Sequence, residues 1–404
     1  MVFKKYVQIL SLPGALKFSV AGVIARFPMA LVGISTILMI RAYYDNYTLA
    51  GLISGANVIA FAVGAPQLSR LVDTFGQARV MIPALLTSVA GLVGLMFATI
   101  NLAPTWVLLV CAAIAGGFSG SMGALVRARW AYVVDKPGQL QAAYSLEAAF
   151  DEVVFVLGPV LATILATSVH PAGGLVLAIV LIICGGLWFL LQRATTPPPG
   201  GRAPGTPRTS VMRNPAMLVL AATFIGAGAL FGANDLSVIA FTKEQGFPGL
   251  AGGLLAGFSF GSLLSALVYG ARVWKWPLWK LYAVGIFCLA VGASTFAFAS
   301  SIWVLAPIML VTGMAIAPTM TNVNTIVQRI MPPARLTEGL TWMSTSMNIG
   351  VALSSTLTGR VIDATGSHGG FMMMIGAAWL MVLMMLLGLR VLRRETTSAP
   401  MIEA

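Results

Sequence analysis

The chain has 404 residues, of which 58% are hydrophobic and only 9% charged, with a formal net charge of +12. A soluble globular domain carries roughly a quarter charged residues, so this composition cannot cover a water-exposed surface and makes lipid the solvent. The basic excess is distributed by topology, as the loops show, and that excludes a nucleic-acid surface.

Crossing a bilayer as a helix takes ~20 apolar residues, and hydropathy predicts twelve such spans. The N-terminal stretch holds Lys4, Lys5 and Lys17 but no compact apolar core with a small-residue cleavage site. It reads as a cytoplasmic lead and not as a cleaved signal peptide. The first span, 16–42, carries Arg26 about 15 Å deep at ~1.5 Å per residue. The second, 48–70, opens on Leu49-Ala50-Gly51 and holds Asn57. A loop from Ser69 to Arg79 leads into the third, 79–100. The fourth, 104–127, opens on Trp106-Val107-Leu108 and ends on Arg127, with Arg129 just beyond. The fifth, 140–168, contains Glu147, Asp151 and Glu152. The sixth, 171–192, begins beside His170 and Gly173-Gly174.

A polar stretch rich in Pro and Gly, 194–214, then divides the spans six and six. Such composition does not hold a compact fold. It is expected to link an N-terminal bundle, 1–193, to a C-terminal bundle, 215–404. The seventh span, 215–241, has Asp235 towards its outer end, and the eighth, 249–271, opens on Leu250-Ala251-Gly252. The ninth is 277–299. The tenth, 302–328, opens on Trp303-Val304-Leu305 and holds Asn322 and Asn324. The eleventh, 337–361, holds Trp342 and Asn348, and the twelfth, 370–391, follows His368-Gly369-Gly370.

With the N-terminus in the cytoplasm, Arg41, Lys243 and Arg360 are the only Lys or Arg in outer loops, and Arg26 lies inside a span. The others fall in the N-terminus, the inner loops and the C-terminus. This asymmetry places both termini and 194–214 inside, in the plasma (inner) membrane. The paired signals at spans 2 and 8, 4 and 10, and 6 and 12 recur at nearly one offset. They indicate duplication, and because six is even, the halves are parallel repeats about an axis along the membrane normal. Cys111, Cys184 and Cys288 all fall within spans, without a CxxC partner, so no disulfide or metal is expected.

On these features the chain resembles the major facilitator superfamily over essentially its whole length. The most specific local match is the loop between spans 2 and 3, where Asp73, Gly76 and Arg79 fit the family pattern and Ser69, Thr74 and Ala78 depart from it. The equivalent loop of the second half, Gly270 to Trp276, lacks the acid. The resemblance implies an all-α membrane protein with twelve transmembrane helices in two six-helix bundles. It also implies a central cavity lined by helices 1, 2, 4, 5, 7, 8, 10 and 11. In relatives the loop acid interacts with an arginine at the inner end of helix 4 and with the start of helix 11. Carried over, Asp73 pairs with Arg127 or Arg129 and faces the helix beginning near Thr337, with Gly76 and Arg79 completing an inner gate. Of the helix 5 pattern of proton-coupled drug exporters, only Gly158-Pro159 survives.

A charge inside a span is costly and marks function by default. Glu147 and Asp151 share a helix face, and Glu152 points about 100° away from Asp151. Arg26 matches the depth of Asp151 and Glu152, so an ion pair between helices 1 and 5 is expected. Arg127 or Arg129 is expected to neutralise Glu147, which leaves Asp151 and Glu152 as proton-coupling candidates, one of them held by Arg26. Asn57, Asn322, Asn324, Trp342 and Asn348 complete the expected cavity lining, each with packing between helices as its plainer role, together with Asp235, whose plainer role is a solvated residue at an outer vestibule.

The expected function is secondary transport by alternating access, with proton-coupled export of small, largely apolar organic compounds. Cationic ones suit the excess of acids. An importer of a sugar or amino acid, or a receptor that does not transport, is the alternative. No nucleophile–base constellation, metal cluster or phosphate loop points to an enzyme. The expected partners are a small-molecule substrate, protons and the bilayer. No cofactor and no nucleic acid are expected, and the chain is expected to be monomeric.

Overall fold

The computed structural model describes residues 2–135, 137–200, 210–247, 250–272 and 274–398. Residues 201–209, the middle of the expected link, lie outside the described residues. Among the described residues every regular element is helical.

A short helix not expected from hydropathy, α1 (Val2–Leu10), precedes the first span. It joins α2 (Ala15–Tyr44) through Gly14, whose φ of 78° is a left-handed conformation open to glycine. Asn46 then caps α3 (Tyr47–Phe75), accepting from the Leu49 N–H at 2.9 Å. At Gly76, φ 94°, the chain turns directly into α4 (Gln77–Ile100). The fourth span is two helices, α5 (Thr105–Gly117) and α6 (Met122–Val133), broken at Gly120 with φ 64°. The fifth is the unbroken α7 (Pro137–Ser168). The sixth is α8 (Gly173–Leu181), a π-turn at Ile182–Gly186, and α9 (Leu187–Leu191).

The second half begins with α10 (Pro215–Glu244), capped by Asn214 and started by a proline at its first position. Next come α11 (Ala251–Ala271) and α12 (Leu278–Ser294). The tenth span is again two helices, α13 (Ile302–Gly313) and α14 (Ile316–Ile330). The last described helices are α15 (Leu336–Thr365) and α16 (Ser367–Ser398). The breaks in spans 4 and 10 sit at matching places in the two halves, a sign of duplication that hydropathy does not carry.

Among the described residues, eleven segments are long and apolar enough to cross a membrane. The remaining expected span, α15, has 30 residues, and at ~1.5 Å per residue these exceed a ~30 Å hydrocarbon core. Its Thr, Ser, Asn and Gly content keeps it from reading as apolar. It is partly shielded from lipid by α10, which it crosses at close range. A methyl group on Gly228 would strike the Met347 carbonyl, and one on Gly350 the Ile225 carbonyl. Exposed apolar side chains such as Ile59, Val63, Phe97, Val268 and Leu387 suit a lipid surround.

The apolar interior is divided. One cluster gathers buried residues from Tyr6 to Leu190. Another runs from Val211 to Leu392 and takes in Ala124 and Ala128 of α6. The halves meet along two seams, α3 against α15 and α7 against α11.

Candidate functional site

The site begins with four charges on three helices, Arg26 and Glu147 buried and Arg127 and Asp151 half-buried. Arg26 of α2 donates through one guanidinium nitrogen to Glu147 and through the other to Asp151 at 2.6 Å. Glu147 and Asp151, one turn apart on α7, present both carboxylates on one face, a spacing that the guanidinium fork bridges. Arg127 of α6 donates to the second Asp151 oxygen at 2.7 Å. Ser19 and the Trp130 indole N–H each reach Glu147 at 2.7 Å. Glu147 is fully buried and Arg26 is 2% exposed. Two bases therefore face two acids, with most polar atoms hydrogen-bonded, as burial of charge demands.

This corrects one expectation: Glu147 is neutralised by Arg26 and not by Arg127 or Arg129. Asp151 is the acid of the expected pair that Arg26 holds, and it also binds Arg127. The break at Gly120 is the reason. It starts a new helix inside the span, and the segment runs on to Val133, so Arg127 lies within the bundle beside α7.

Glu152 stands apart from this cluster. Ser262 of α11 donates to it at 2.6 Å, and Ser259 also hydrogen-bonds it. No basic residue pairs with it among the described residues. Ser145 lies two turns earlier on the same face of α7 and meets Thr321 of α14 at 3.3 Å. That face therefore looks across to the second half. Glu152 borders a cleft of about 480 Å³ between α7 and α11, lined also by Val156, Leu157, Ala256, Phe260 and Leu263.

A second polar group closes the α3–α15 seam at the end expected to be cytoplasmic. Asp73 accepts from the backbone N–H groups of Thr337 at 3.3 Å and Glu338 at 2.9 Å. A carboxylate there meets the unpaired donors and positive end of α15. Glu338, 2% exposed, accepts from Arg70 at 2.7 Å and Arg335 at 3.2 Å. Ser69 and Thr341 hydroxyls meet at 2.7 Å. The expected partnership of Asp73 with the start of the eleventh helix is present, but its pairing with Arg127 or Arg129 is not. Arg127 is held by Asp151. Arg129 is fully buried and donates to Gln77 at 2.8 Å, the Gln192 carbonyl at 2.9 Å and Thr195 at 3.1 Å. The Phe189 ring also lies 3.9 Å from its guanidinium carbon. It thus ties α6 to α4 and to the end of the sixth span. Gly76 forms the turn, and Arg79 is exposed at the start of α4, outside both polar groups.

Asp73→Asn would keep the acceptor oxygen and remove the charge. A charge at a helix N-terminus is worth ~0.3–1 kcal/mol, and up to ~2 when partly buried. The expected result is a several-fold rise in the reactivity of a cysteine placed at buried Ala128, in a background free of Cys111, Cys184 and Cys288. Unchanged reactivity would remove Asp73 from the closure.

The remaining expected lining residues are dispersed. Asn57 donates to the Ala112 carbonyl at 3.1 Å, a bond between neighbouring helices. Asp235 is exposed on α10 and accepts from Asn234 at 3.3 Å. Asn322, 1% exposed, accepts from the Tyr269 hydroxyl at 2.7 Å. Asn324 and Asn348 are half-buried. The Trp342 indole N–H is buried without a partner. Ser19, Arg70, Trp130, Ser262 and Glu338 were not anticipated. Only Glu338 carried a readable signal, an acid in the first turn of a predicted span. Serines and tryptophans are too common in membrane helices to single out.

The Major Facilitator Superfamily model matches residues 18–336 and 248–403, and the chain belongs to that family. The human organic anion transporter MFSD10 (TETRAN) is similar in structure, with TM-score 0.71 at 14% identity over 92% of this chain and 98% of that one. A bacterial homologue of the iron transporter ferroportin, in its outward-facing state, gives TM-score 0.71 at 14% identity, over 95% and 99% of the two chains. The E. coli fucose:proton symporter FucP gives 0.69 at 12% identity, over 91% and 98%. At such identities the likeness is one of fold. No curated protein sequence matched. The fold and family define a membrane transporter.

Proposed function

We propose that this transporter works by alternating access and exports small, largely apolar organic cations in exchange for protons. The observation that carries the reading is Glu152, a carboxylate without a basic partner among the described residues, in an apolar cleft shared by the two halves. An acid so placed can hold either a proton or an organic cation, but not both. Protons entering from the outer side release the cation there. Loss of the proton to the cytoplasm frees the carboxylate for the next cation. Asp151 and Glu147 are not needed as carriers, because Arg26 and Arg127 already engage them in ion pairs.

The moving parts in this reading are the bundles 1–193 and 215–404, with 194–214 as a cytoplasmic link. Their two largest apolar clusters, each drawn mostly from one half, support the division. The interhalf hydrogen bonds of Tyr6, Ser69, Asp73 and Ser145 gather towards one end, which the basic loops assign to the cytoplasm. On that assignment the inner side is closed and the cleft is accessible from outside. One chain supplies both halves of the cleft, which supports a monomer as the working unit in the plasma membrane.

The test uses inside-out vesicles of the purified protein with an acidic lumen, a clamped membrane potential and tetraphenylphosphonium as probe. Its permanent charge prevents passive trapping by protonation. The expected result is accumulation in the lumen that collapses when the pH gradient is dissipated. Accumulation that ignores the gradient would refute proton coupling.

A further inference from the structure

The two sides of the inner closure are built differently. On the α3–α15 seam, the loop acid Asp73 meets the positive N-terminal end of α15. By the internal repeat, the loop after α11 should serve the α7–α11 seam in the same way. That loop, from Gly270 to Trp276, has no acid. The short helix α1 lies there instead, packed against α7, α11 and α2.

Two side chains fix its position. Ile9 is 1% exposed and belongs to the apolar cluster of the first half. Tyr6 is 5% exposed, and its hydroxyl donates to the Leu267 carbonyl at 2.7 Å and the Ala266 carbonyl at 3.2 Å, both on α11. The C-terminal turns of a helix carry the negative end of its dipole and suit a donor, as the N-terminal turn suits an acceptor. The hydroxyl on one seam and the carboxylate on the other therefore use opposite helix ends for the same purpose. The seam is tight at this point. A Cβ on Gly270 would lie 2.6 Å from the Tyr6 hydroxyl and 2.5 Å from the Ser145 Cβ.

We propose that α1 is a strap across the α7–α11 seam, with Tyr6 as its fastening, and that Tyr6 must leave α11 before the inner end can open. The proposal rests on the alternating-access reading. It makes Tyr6 a positioning residue that sets the balance between inward-open and outward-open states, replacing the acid that the second-half loop lacks.

The experiment is a spin-label distance measurement on the full chain in lipid nanodiscs. Labels at exposed Gly138 and Arg272 report the α7–α11 seam, and labels at exposed Phe75 and Ala334 report the α3–α15 seam. Tyr6→Phe removes only the hydroxyl. It is expected to raise the open fraction at the first pair about two- to tenfold, the range that one hydrogen bond shifts an equilibrium. Tyr6→Ala also removes the ring packing and should raise it further. An unchanged open fraction in both variants, with the wild type showing both populations, would overturn the strap. A single distance at both seams, in wild type and variants at every pH, would refute the alternating-access reading itself and the strap with it.

Discussion

Glu152→Gln is expected to abolish transport driven by a pH gradient while leaving the protein folded. The amide keeps the shape of the side chain and an acceptor oxygen for the Ser262 hydroxyl. It breaks no ion pair, since Glu152 has none among the described residues. Thermal stability should therefore stay near that of the wild type. Binding is expected to change sharply. Opposite unit charges roughly 5–6 Å apart are worth ~3 kcal/mol at an effective dielectric near 20, so the affinity for tetraphenylphosphonium should fall about a hundredfold. A bulky residue at Val156, which lines the same cleft, should also lower the affinity without touching the carboxylate. Retention of full gradient-driven transport in Glu152→Gln would remove this residue from the proton path, and Asp235 would become the next candidate.

The largest loss of stability is expected from Arg26→Gln. It leaves fully buried Glu147 with only Ser19 and Trp130 as partners, while Asp151 keeps Arg127. Removing one member of a buried ion pair costs ~3–5 kcal/mol in soluble proteins, because the other charge stays buried and uncompensated. Glu147→Gln alone should be costly for the same reason, though less so, since Arg26 retains Asp151. The double variant Arg26→Gln/Glu147→Gln removes both charges and should be more stable than Arg26→Gln. Contacting residues of this kind couple by ~0.5–3 kcal/mol in double-mutant cycles. Unfolding curves for the four proteins in one detergent provide the check. A double variant that is no more stable than Arg26→Gln would mean that packing, and not charge, makes Arg26 necessary.

The two variants separate two roles that four neighbouring charges could otherwise share. Glu152→Gln should retain stability and lose coupling. Arg26→Gln should lose stability first. Asp151→Asn lies between them, because it frees one donor on each of Arg26 and Arg127 and leaves Glu147 to answer one of them.

The twelve spans and the distribution of base were legible in the amino-acid sequence, because each is a local property. Twenty apolar residues can cross lipid only as a helix, and a charge in such a segment is visible wherever its partner lies. Arg26, Glu147, Asp151 and Glu152 were therefore found as a group from sequence, whereas the approach of Asp73 to the helix near Thr337 came only with the family resemblance. Their pairing was not legible. It depended on the left-handed turn at Gly120, which begins α6 inside the bundle and brings Arg127 to Asp151. It depended also on Gln77, Gln192 and Thr195, which occupy Arg129 and leave Asp73 to the backbone of α15. Hydropathy and charge are summed along the chain, whereas an ion pair is decided by which helices touch and at what height. That is why hydropathy and charge, with the family resemblance, gave a membrane transporter with acids in its fifth helix, and only the tertiary structure decided that Glu152 is the acid of that helix left without a base among the described residues.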